Sequence, residues 1–148
     1  MKRTLKSNKG FSLVELIVVV LIMAIIAVAL APQVMKWVGH SRTSTDANTY
    51  DTLYENIQLA LADENVLAEV KGQSITFTMG SSGVTVTTFP GGGLFSGKMD
   101  DICGSNWMTK VKKKDAAATN DYVITVDYSG TTLDVERTTE PETNNVKQ

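Results

Sequence analysis

Residues 16–35, LIVVVLIMAIIAVALAPQVM, carry no charge, and only Pro32 and Gln33 interrupt their aliphatic side chains. Twenty residues at ~1.5 Å each make a rod of roughly 30 Å, the thickness of a bilayer's hydrocarbon core. The 113 residues that follow this run are enough for one small core and not for two. Lys2, Arg3, Lys6 and Lys9 precede the run with no acid among them, whereas ten basic and sixteen acidic residues follow Gly10. The net charge of −2 therefore averages a basic head, an apolar rod and an acidic body. The bases before the run outnumber Lys36 and Arg42 just after it, which favours a cytoplasmic N-terminus.

Several classes fall away. The single Cys103 cannot close an intramolecular disulfide, and with one histidine there is no Cys/His cluster for a structural zinc ion. An acidic body disfavours nucleic-acid binding through bulk charge. Three readings of the apolar run stay open. A cleaved secretory signal would need a small-x-small site, but Ala27-Val28-Ala29 and Ala29-Leu30-Ala31 lie inside the run. A plain single-pass anchor is the second reading. The third must account for Glu15, which sits among Phe11, Leu13, Val14, Leu16 and Ile17. A carboxylate carried into the bilayer costs on the order of 3 kcal/mol and calls for a partner. Snorkelling to the interface near Lys9 is the alternative to such a partner.

The run Lys9-Gly10-Phe11-Ser12-Leu13-Val14-Glu15-Leu16 resembles the class III signal of type IV pilins and pseudopilins. The resemblance extends over residues 9–35 and ends by about residue 65. It implies cleavage between Gly10 and Phe11 by a prepilin peptidase, N-methylation of Phe11 by the same enzyme, and a mature chain starting at Phe11. Glu15 falls on the family's fifth mature residue and Pro32 on its helix-interrupting proline. In such filaments Glu15 would set register against the Phe11 amine of a neighbouring subunit, since a wrong stagger leaves a charge unpaired in an apolar core. Pro32 removes a backbone donor and kinks the helix; the resemblance further implies unwinding over roughly residues 24–32.

From Lys36 the apolar pattern narrows to a stripe, Tyr50, Leu53, Tyr54, Ile57 and Leu61, at helical spacing. The spacing predicts one kinked helix from Phe11 to about Leu67, ~85 Å long, closed near Lys71 and Gly72. Beyond Gly72 the period is two. Strands are predicted at Ser74–Met79, Val84–Thr87, Tyr122–Tyr128 and Thr131–Glu136, with Gly80-Ser81-Ser82-Gly83 and Ser129-Gly130 as turns. Ile124, Val126, Tyr128, Leu133 and Val135 would share the core face. The expected fold is α+β: the type IV pilin fold, a long kinked N-terminal helix packed on a small antiparallel sheet of about four strands. Its parts are a leader 1–10, a membrane or filament-core half-helix 11–35, an amphipathic half-helix 36–71, a sheet-bearing head 72–137 and a loose tail 138–148. Lys98–Lys112 is expected to form a short helix burying Met99, Ile102, Trp107, Met108 and Val111, weakened by Gly104.

Chemistry-bearing motifs are few. Gly92-Gly93-Leu94-Phe95-Ser96-Gly97-Lys98 follows a phosphate-loop pattern, but Met99 stands where a magnesium-binding hydroxyl belongs, and a turn-rich loop is expected. Asp100 and Asp101 lack the further acids of a calcium loop, and His40 has no catalytic partner nearby in sequence. Cys103 reads as a packed thiol. Lys110, Lys112, Lys113 and Lys114 form one basic patch, expected to be a solvated face that binds DNA or anionic surfaces weakly and through many copies. The chain is accordingly expected to be a structural subunit, with no catalytic residue, metal or cofactor. It would pass from the cytoplasmic membrane to a homo-oligomeric extracellular pilus for adhesion, motility or DNA uptake. The resemblance implies the peptidase/methyltransferase, an assembly platform protein and an ATPase as partners. The alternatives are a pseudopilin of a type II secretion or competence apparatus, or an uncleaved membrane-anchored protein.

Overall fold

The structure is a computed structural model and describes residues 11–115, 118 and 120–141. Two compact units, Met1–Val38 and Gly39–Gln148, make up the chain. Helix α1, Leu13–Leu61, has residues in both. In the first unit every described side chain is exposed, from Phe11 to Val38.

The second unit holds the rest of α1, then α2 (Glu64–Val70), β1 (Ser74–Met79), β2 (Val84–Thr87), α3 (Leu94–Cys103), α4 (Trp107–Lys110), β3 (Tyr122–Asp127) and β4 (Asp134–Thr139). The strands form one antiparallel sheet in the order β2-β1-β3-β4. Strict alternation places Ile75, Phe77 and Met79 of β1 and Tyr122, Ile124 and Val126 of β3 on one buried face. Tyr50, Leu53, Ile57 and Leu61 of α1 are buried in the same core. Two tyrosines moor this stripe: Tyr50 donates its hydroxyl to the Val123 carbonyl at 2.9 Å, and Tyr54 donates to that of Val135 at 3.2 Å. This is the expected α+β arrangement of a long helix packed on a four-stranded antiparallel sheet.

Several local expectations need correction. The long helix does not continue to Leu67. It ends at Leu61, and Asp63 caps a new helix by accepting the Asn65 N–H at 3.0 Å, so that Val66 and Val70 turn into the core. The turn between β3 and β4 is not Ser129-Gly130 but the whole stretch Tyr128–Leu133. Tyr128 exchanges backbone bonds with Gly72 and Gln73, and Asp127 accepts the Ser129 N–H at 2.8 Å, which together delay the return strand. Leu133 therefore lies outside β4 and is 37% exposed, while Val135 packs on the core as expected. Thr138 and Thr139, assigned in advance to a loose tail, are the last residues of β4; residues 142–148 lie outside the described ones.

The expected Lys98–Lys112 helix is two helices. The first begins at Leu94, inside the stretch read as a turn-rich loop, and the second is separated from it by Gly104 and Asn106, both at positive φ. Met99 and Trp107 are buried; Ile102, Met108 and Val111 pack against the core half-buried. At Gly83, with φ of +140°, a Cβ would overlap the Met108 carbonyl oxygen. Glycine is required there for α4 to approach the β1–β2 turn.

Candidate functional site

The site begins where the chain has most apolar surface and least cover. Helix α1 is long and apolar enough over its first part to cross a membrane. Phe11 is 89% exposed and Trp37 77%, and between them only Glu15 and Lys36 are charged. Glu15 lies in the first turn, where its Oε2 accepts the Ser12 backbone N–H at 3.0 Å. This is one half of a capping box: the carboxylate three residues into the helix reaches back to the residue that precedes it. The Ser12-x-x-Glu15 spacing announces that bond. Among the described residues the second carboxylate oxygen of Glu15 has no hydrogen-bond partner. Pro32 lies inside α1, and the helix continues through it. Gly10 lies outside the described residues.

Elsewhere the predicted positions separate. Lys113 leaves the basic patch. It is buried, and its ammonium donates to the Ala118 and Asn120 carbonyls at 3.0 and 3.1 Å and pairs with Asp121 Oδ1 at 3.1 Å. Lys110, Lys112 and Lys114 are exposed, with Lys110 Nζ donating to Ser105 O. His40, Asp100 and Asp101 are exposed. Among the described residues no three His, Cys, Asp or Glu side chains converge as metal ligands. Cys103 is half-buried; burial raises its thiol pKa, although Asn56 donates to its sulfur at 3.3 Å and opposes that rise.

The glycine-rich stretch also finds its explanation. Glu69 of α2 accepts the N–H groups of Leu94 at 3.3 Å and Phe95 at 2.8 Å, so the N-terminus of α3 already holds an anion. The resemblance to a phosphate loop is physical, and the negative charge it is built for comes from the chain itself. A Cβ at Gly92 would stand 2.7 Å from Glu69 Oε1, which gives that glycine a packing reason.

Asp46 and Arg137 were not singled out from sequence. Asp46 is fully buried and accepts the N–H groups of Lys114 and Asp115 at 2.7 and 2.8 Å. Arg137 lies over Tyr54, 4.3 Å from its ring centroid, and pairs with Asp51 at 2.6 Å. Neither partnership leaves a periodic trace in the chain.

Residues 5–31 match the family model for the prokaryotic N-terminal methylation motif. The chain carries a class III signal. This is the signal of type IV pilins and pseudopilins, and it covers both Glu15 and most of the apolar segment. Neither a curated protein nor a solved structure matches the chain. The motif implies processing by a prepilin peptidase, and with the apolar helix it fits a membrane-anchored precursor of a structural subunit.

Proposed function

We propose that the chain is a prepilin, cut between Gly10 and Phe11 and N-methylated on Phe11, that polymerises through its N-terminal helix into a type IV pilus. The observation that carries this reading is the segment Phe11–Val38: wholly exposed, apolar, and headed by a carboxylate at the level where cleavage would create an amine. In lipid the segment is an anchor. Against copies of itself it is a filament core, in which Glu15 takes the Phe11 amine of a neighbour and so selects one stagger. A wrong stagger leaves a charge unpaired in apolar surroundings, at on the order of 3 kcal/mol. Pro32 provides a weak point where the helix bends to fit its neighbours. The peptidase/methyltransferase, an assembly platform and an ATPase act on the subunit from outside, and the fibre is displayed on the cell surface for adhesion, motility or DNA uptake.

N-terminal sequencing of the membrane and sheared fractions tests the processing. The expected start is a methylated Phe11, and an intact Met1 overturns the proposal. Electron microscopy of sheared material should show long fibres, which Glu15→Ala reduces sharply while leaving the protein in the membrane. Normal fibre yield from Glu15→Ala removes the register role, and short structures alone assign the chain to a pseudopilus.

A further inference from the structure

The lysine segment is built as a rigid edge rather than a loose loop. Lys113 N–H donates to the Gly80 carbonyl, and the next two amides are held by the buried Asp46 carboxylate. Lys113 itself turns inward onto Ala118, Asn120 and Asp121. Two charged groups are thus buried to hold this short stretch, a desolvation cost that only well-filled partners offset. The exposed ammonium groups of Lys112 and Lys114 form no ion pair among the described residues. These bonds place the edge at the end of the sheet where β1 finishes at Met79 opposite Tyr122.

The other end of the same sheet is acidic. Asp127 stands directly opposite Asp134 in the β3–β4 register, and Glu136 follows two residues along β4 on the same outward face. Like charges in register are destabilising within one sheet. Lys71, beside Gly72, brings one base to this end. The six residues of β1 separate the two ends by about 17 Å, beyond the reach of an ion pair within one head.

We propose that these ends meet between successive copies of the chain, the Lys110–Lys114 edge of one head docking on the Asp127, Asp134 and Glu136 face of the next. This inference rests on the filament reading and adds to it a second, head-to-head contact. Charge decides for a second copy over a polyanion. Beyond Gly10 the chain has sixteen acidic against ten basic residues, an excess that repels a polyanion and provides carboxylates for another copy's lysines. Because the complementary patches occupy opposite ends, the contact is heterologous and leaves a free patch at each end of any stack, which suits an open polymer rather than a closed dimer. Contacts of this type set register and capture rate more than affinity and weaken with salt, whose screening length is about 10 Å at 0.1 M.

The test uses full-length chain in cells, with sheared polymer sedimented at about 0.1 M salt. Lys112→Glu/Lys114→Glu and Asp134→Lys/Glu136→Lys should each lower the sedimented fraction at least about threefold, and combining all four should restore most of it. All four side chains are exposed, so the lysine variant should melt as the unaltered chain does, while relief of the Asp127–Asp134 repulsion should leave the melting of the acidic-face variant no lower; a folding defect is thereby recognised separately. Unchanged yield in the single-sided variants, or a combined variant no better than either, overturns the proposal. So does an unchanged yield with loss of bound duplex DNA in the lysine variant, which assigns the edge to a polyanion. If the unaltered chain forms no polymer, the filament reading fails. The head contact is then read in membranes by oxidising Lys112→Cys/Asp134→Cys in a Cys103→Ser background: a ladder of cross-linked chains supports it, and its absence overturns it.

Discussion

Asp46 binds two amides that lie 68 and 69 residues further along the chain, and Thr43 one turn earlier donates to Asp115 at 2.9 Å. Asp46→Ala leaves both amides without their acceptor in the interior, and a loss of roughly 2–4 kcal/mol is expected in urea unfolding of the detergent-solubilised chain. Asp46→Asn keeps one acceptor and should lose less. Tyr50 gives a second test at this scale. Burial, reinforced by Glu140, raises its phenol from 10.0 to about 12, against the opposing pull of Arg137. Because the folded value lies above the unfolded one, this contribution is complete below pH 10 and disappears as pH rises toward 12. Melting temperature should fall across that window, and Tyr50→Phe should flatten the fall. Asp63 and Asp127 work in the opposite direction. Lys98 and the Asn65 amide lower the first, and bonds from Ser129 lower the second, so their contributions hold above the ordinary carboxylate range and vanish as pH drops through it. Acidification below about pH 4 should destabilise the head, less so in Asp63→Asn.

At the scale of elements, α3 depends on a residue outside itself. Glu69→Ala removes the carboxylate from the Leu94 and Phe95 amides and should cost roughly 1–2 kcal/mol, with Glu69→Gln intermediate, measured by thermal melting. The elements also divide by how far each could be read in advance. β1 and β3 were legible because alternation is a local pattern that a half-buried strand must show. The stripe Tyr50 to Leu61 was legible for the same reason at helical spacing. The break at Asp63 was not, because the residues on both sides, Gln58-Leu59-Ala60-Leu61-Ala62 and Glu64-Asn65-Val66-Leu67, are all acceptable in one helix. The β3–β4 turn was misread because Ser129-Gly130 has turn chemistry, while the bonds of Tyr128 to Gly72 and Gln73 that postpone it are non-local. Lys113 was grouped with its neighbours because a run of lysines looks uniformly solvated; its burial depends on acceptors at 118, 120 and 121. The capping bond of Glu15 lay in plain view in the three-residue spacing from Ser12.

For the whole molecule, the buried hydrophobic core among the described residues lies between Tyr50 and Val126, within the second unit. A chain starting at Gly39 is therefore expected to fold cooperatively in water without the apolar segment, checked by a single thermal transition and dispersed amide resonances. The first unit has the reverse property: from Leu13 to Val38 it has surface and no interior. On the filament reading proposed above, such a segment never passes through a dissolved state. From synthesis to incorporation its stock is kept in a sheet of lipid, so the quantity that sets growth is subunits per area of membrane rather than per volume of cell. In that proposed fibre, arrivals would come by lateral diffusion, and growth would deplete a disc around its base. Doubling the cell's surface at fixed copy number would slow elongation, while doubling its volume at fixed surface would leave it unchanged.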